Sequence, residues 1–181
     1  MKQNHFHMKI VIYYLFAFLS ALLISRCAGT IRTIIIYNEN PKNYKNAYII
    51  SATNSKYIKF KFGVITPIAY IPLPDNPAVT TQVIGNTDIV IKKELEKYGI
   101  SAEIGQVGHL PGPHDLIIIY HDTWRWDFKK ILDNLEIVFL TPDSNKLIAR
   151  STYNIYKNKE FHNFPTPEKE VPKMIKELLK K

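Results

Sequence analysis

The side chains best suited to acid–base or metal chemistry are His109, His114, His121 and Asp122, which stand close together in the chain. Imidazoles and carboxylates make a metal site only when several converge, and none of these has a specific ligand spacing such as His-Glu-x-x-His. His162, in the loop Phe161-His162-Asn163-Phe164-Pro165, joins them only if the fold brings it there. Asp115, Asp122 and Asp127 are the carboxylates available for acid–base work, but solvated strand ends and helix caps account for them. Gly-x-Ser-x-Gly, the P-loop and Gly-x-Gly-x-x-Gly are all missing from the chain. The residues therefore predict no catalytic group, no metal ligand and no cofactor. The pair to weigh against that expectation is His121 with Asp122, the centre of a periplasmic hydrolase or metal-dependent enzyme.

The elements that position these groups begin with a segment expected to be removed. Residues 1–26 have a basic start (Lys2, Lys9) and an uncharged apolar run from Ile10 to Ile24. That run falls short of the ~20 residues a spanning helix needs and suits the apolar region of a signal peptide. Cys27, the one cysteine in the chain, follows directly, and an exported chain with one cysteine closes no internal disulfide. Ile24-Ser25-Arg26-Cys27 resembles the lipobox of bacterial lipoproteins, with Arg26 standing where a small residue is usual. The resemblance implies an acylated Cys27 that anchors the chain to a membrane.

Composition is that of a globular domain, 46% hydrophobic and 22% charged over 181 residues. The formal charge is +8, but without Lys2, Lys9 and Arg26 the 24 basic residues fall to 21 against 16 acidic, an excess of five. Scattered surface lysines account for that excess. The basic-aromatic run Lys56 to Phe62 has the period of two of a half-buried strand rather than the pattern of a nucleic-acid platform, so no nucleic-acid partner is expected.

Residues 27–46 are expected to form an N-terminal strand (Thr30 to Tyr37) and a polar linker, and 47–181 a single domain. Strands are expected at Ala47 to Ser51, Tyr57 to Ile65 and Ser101 to Gln106. Leu116 to Tyr120, apolar on both alternating faces, reads as a central strand. Beyond it, Asp122, Trp124 and Trp126 share one face, and both tryptophans are expected in the core. Because a strand unbroken to Phe128 is too long, a bulge or break is expected between Trp124 and Asp127. Phe128, Ile131, Leu132 and Leu135 have helical spacing and predict two short turns after Asp127. Thr141-Pro142-Asp143-Ser144-Asn145 predicts a hairpin into a strand from Lys146 to Tyr156. Asn76-Pro77 and Gly99 bracket a helix expected at about 77–98, with Gly85 as the point where it can break, and Thr166-Pro167 opens another at about 168–180, its regular part beginning at Pro172. The expected fold is α+β, a mainly antiparallel sheet with these two helices packed on one face.

Asp115-Leu-Ile-Ile-Ile-Tyr120, Trp124-Arg-Trp-Asp127, Leu132-x-x-Leu135-x-Ile137 and Leu147-Ile-Ala-Arg150, behind an exported N-terminus with a cysteine, resemble a group of Gram-negative outer-membrane lipoproteins. In outline they are also similar to the auxiliary lipoproteins of ABC-type lipid transport systems. The resemblance covers roughly residues 77–181 and implies a small α+β domain without catalytic residues. The chain is accordingly expected to be a non-enzymatic envelope lipoprotein, lipid-anchored through Cys27 in the outer membrane and facing the periplasm, that binds a protein or lipid partner. The other readings are the enzyme above and an unanchored periplasmic small-ligand binder. The sequence leaves oligomeric state open.

Overall fold

The computed structural model describes residues 29–36, 44–58, 64–65, 70–71, 78–79, 82–108, 112–127, 129–143, 145–155 and 164–179. Ten strands appear in chain order among them: β1 (Thr30–Ile35), β2 (Asn46–Ile50), β3 (Lys56–Ile58), β4 (Val64–Ile65), β5 (Tyr70–Ile71), β6 (Ala78–Val79), β7 (Ser101–Gly105), β8 (Leu116–Asp127), β9 (Lys129–Leu140) and β10 (Leu147–Asn154). Helix α1 (Thr87–Lys97) precedes β7 and α2 (Pro167–Leu179) follows β10. The main sheet has the order β1-β10-β9-β8-β2-β7, with β3 paired to β8 and β6 to β3, while β4 and β5 pair separately.

The fold is α+β as expected, but the sheet is mixed. β1, β10, β9 and β8 are antiparallel neighbours, whereas β2 runs parallel to β7 and β8, and β3 parallel to β8. The chain returns from β2 to β7 through α1, the kind of long crossover that parallel neighbours require. Leu116, Ile118 and Tyr120 of β8 sit in one buried cluster with Ile49, Leu135, Phe139 and Tyr153, and both helices close over it through Ile91, Leu95, Val171, Met174, Ile175 and Leu178. Both helices thus cover the same face.

Three local expectations are overturned. Residues 129–135 are strand, not helical turns. The β8–β9 register slips between Thr123 and Trp124, so that Thr123 faces Asn134 and Trp124 faces Leu132. The extra residue on β9, Asp133, turns a spacing of three into one face, and this is why Leu132 and Leu135 both reach the core. That slip lies beside the stretch where the length of β8 predicts a break. Trp124 is 5% exposed in the core, but Trp126 is 45% exposed, since β8 runs past the last core residue before the hairpin turns. Finally, the first helix begins only at Thr87, and Ala78–Val79 is strand. Gly85 at φ +83° breaks the chain just before Asn86, the residue that starts the helix; Asn76 and Pro77 lie outside the described residues.

The strand expected at Tyr57 to Ile65 appears as β3 and β4, which belong to separate sheets, with residues 59–63 outside the described ones. The turn from Thr141 to Lys146 is closed by the Asn145 N–H to the Thr141 carbonyl (3.1 Å) and the Thr141 N–H to the Lys146 carbonyl (2.9 Å), with Asn145 at φ +50°. β1 is an edge strand as its β-branched run suggests. Helix α2 begins at Pro167 and carries Pro172 inside, rather than starting its regular part there. The hydrogen bond lost at Pro172 is offset by burial of Val171, Met174, Ile175, Leu178 and Leu179 along one side.

Candidate functional site

Strand alternation separates the pair that the enzyme reading needs. His121 and Asp122 are consecutive in β8, so their side chains leave opposite faces of the sheet. Asp122 is buried on the helix side, where one carboxylate oxygen accepts from the Thr87 hydroxyl at 3.1 Å. Thr87 is the first residue of α1, whose N-terminal dipole favours a carboxylate beneath it. Around this contact, Ser51 donates to Asp88 (2.8 Å), the Ala52 N–H donates to the Tyr120 hydroxyl (3.3 Å) and the Ile84 N–H donates to buried Ser55 (3.0 Å). Burial raises the Tyr120 phenol above its usual range, against the opposing effect of that Ala52 bond. These bonds fasten the loops before β3 and α1 to the central strand, which makes Asp122 part of the frame.

His121 instead opens onto the face away from the helices. With Lys56, Thr123, Asn134, Glu136 and Thr152 it lines a cleft of about 340 Å³. The register builds this cleft: His121, Glu136 and Thr152 form one cross-strand row, and Thr123 and Asn134 the next, with Lys56 of β3 beside Thr123. Arg32 continues the first row on β1. Glu136 is held by Arg150 at 3.2 Å, and the Asn134 amide donates to Asn154. The cleft therefore offers ammonium, imidazole, hydroxyl and amide groups to a polar partner. A threonine hydroxyl becomes a nucleophile only with a base at hydrogen-bond distance, and the carboxylate facing His121 across the strands is already paired with a guanidinium.

The remaining sequence candidates are dispersed. His114 lies at the far end of β8, on the order of 20 Å from His121 at ~3.3 Å per residue, with its ring 5.1 Å from that of Tyr48 and its Nε2 3.9 Å from Glu103. The Asp115 carboxylate accepts from the Lys45 and Asn46 N–H groups at 2.9 and 3.0 Å, and those bonds hold it below the usual carboxylate range. Asp127 ends β8, and its side chain is outside the described residues, as are His109, His162 and Cys27. Among the described residues no three His, Cys, Asp or Glu side chains cluster as a metal site, and no helix is long and apolar enough to cross a membrane. Lys56, Thr123, Asn134, Glu136 and Thr152 were not foreseeable as a group, because their only signal in sequence is a polar residue at alternate positions of strands whose register must already be known.

No family model matches the chain, and no curated protein matches it in sequence. Among solved structures it is similar to a DUF4136 family protein from Bacteroides thetaiotaomicron, with 10% identity, 84% of this chain and 97% of that one covered, and a TM-score of 0.45. It is also similar to a PelC dodecamer from Paraburkholderia phytofirmans, with 10% identity, 83% and 94% covered, and a TM-score of 0.43. A PDZ domain protein from Parabacteroides distasonis gives 12% identity, 86% and 38% covered, and a TM-score of 0.38.

Proposed function

We propose that the chain is a non-enzymatic envelope lipoprotein, anchored through acylated Cys27 in the outer membrane, that receives a protein or lipid partner on the sheet face away from its helices. The observation that carries this reading is the division of labour along β8. Asp122 is committed to Thr87 on the buried side, while His121 stands in an open cleft of hydrogen-bonding side chains without the carboxylate that the enzyme reading assigns to it. The basic, apolar N-terminal run ending just before the single cysteine supports the anchor.

The small-ligand reading also has an observation in its favour, since a cleft of about 340 Å³ is within the size range of small-molecule sites. A photo-crosslinking amino acid placed at Thr123, at Thr152 and, on the exposed side of α1, at Lys92 separates the two in intact envelopes. A discrete adduct with a protein or a membrane lipid is expected from the two cleft positions and none from Lys92. Equal patterns at all three positions contradict a partner on this face, and adducts with small molecules alone favour the ligand binder.

A further inference from the structure

The strand register brings the start of β1 and the tip of the β8–β9 hairpin to one end of the sheet. Thr30 pairs with Asn154, Asn154 with Asn134, and Asn134 with Thr123. From that row β8 continues four residues to Asp127, about 13 Å at ~3.3 Å per residue. Cys27 stands three residues before Thr30, a reach of about 10 Å. β1 thus starts at the same end of the sheet as the hairpin tip, three residues after Cys27 in the chain.

The tip has the chemistry of a bilayer interface. Trp126, 45% exposed, pairs across the hairpin with Lys130. Lys129 holds its ammonium 3.8 Å over the Phe164 ring, and Lys169 donates to the Phe164 carbonyl at 3.2 Å. Arg125, next to Trp126 in β8, is by contrast matched by Asp133 at 3.6 Å. An indole with an apolar body and a polar N–H, with lysines on the same hairpin end, suits the boundary between anionic headgroups and acyl chains.

We propose that the β8–β9 hairpin tip is a second, non-covalent contact with an anionic phospholipid bilayer, with Trp126 entering the interface and Lys129, Lys130 and Lys169 facing lipid phosphates. The proposal rests on the envelope-lipoprotein reading. An acyl anchor alone leaves the domain free to swivel, and a second contact fixes its orientation. The His121 row then stands about 20 Å from the tip, six residues back along β8 at ~3.3 Å each, within reach of a partner beside the membrane.

The test uses the full chain as isolated from membranes, reconstituted in vesicles of phosphatidylcholine with brominated acyl chains, with or without phosphatidylglycerol. Bromine quenches only nearby indoles, so Trp126 emission is expected to be quenched in the anionic vesicles, and Trp126→Phe, which alters an exposed side chain, is expected to abolish the quenching while Trp124 emission persists. Lys129→Gln with Lys130→Gln is expected to lower the occupancy of the inserted tip by about 30-fold at ~1 kcal/mol per basic residue. Quenching that is absent although the chain pellets with the vesicles, or that ignores phosphatidylglycerol and both lysines, overturns the proposal, as does failure to pellet with anionic vesicles. The anchor is read separately, from the mass of the Cys27 peptide, so a wrong anchor shows as an unlipidated peptide whatever Trp126 does.

Discussion

Trp124→Ala is expected to lower the stability of the domain by about 3–5 kcal/mol, and Trp126→Ala to change it by less than about 0.5 kcal/mol. Both side chains leave the same face of β8, two residues apart, yet one is 5% and the other 45% exposed. Trp124 lies in the cluster that also holds Tyr120, Leu132 and Leu135, and its removal leaves a cavity that these branched and aromatic neighbours cannot close. Trp126 faces Lys130 near the hairpin turn and loses little when truncated. Urea denaturation of the two variants measures the difference directly. Similar losses for both would mean that the core extends to the hairpin tip, and would remove the exposed indole on which the membrane contact depends.

Gly85→Ala is expected to cost about 2–6 kcal/mol, from two separate sources. At φ +83° a side chain is strained by roughly 1–3 kcal/mol. In addition, a Cβ built there lies 2.5 Å from Cζ2 and 2.8 Å from Cη2 of Trp124, an overlap worth a further ~1–3 kcal/mol. The second source vanishes when the indole is gone, so the same change in a Trp124→Ala background should cost less by about that amount. A double-mutant cycle by denaturation checks this. Purely additive losses would show that Gly85 is required for its backbone angle alone.

The same two residues show where the sequence was legible. Leu116 to Tyr120 as a central strand, the Thr141 to Asn145 turn and the apolar side of α2 followed from period, turn chemistry and capping, all of which are local. The strand across 129–135 did not, because the bulge at Asp133 imitates helical spacing and becomes visible only when β8 supplies the register. The parallel placement of β2 likewise depends on which strands meet after the crossover through α1. The candidate site was half legible: His121 stood out by residue type and strand alternation already set it opposite Asp122, but its neighbours come from β3, β9 and β10. Those contacts are long-range, so no window of sequence contains them.

Attachment of this domain to a membrane through Cys27 is tested by the intact mass and fractionation of the wild-type chain beside Cys27→Ser. The wild-type chain is expected in the outer-membrane fraction, cleaved before Cys27 and heavier by its acyl groups, more than one of which is needed for stable anchoring. The Cys27→Ser chain is expected without that mass. Two soluble chains with equally unlipidated masses would contradict the attachment and leave the unanchored ligand binder as the reading of the cleft.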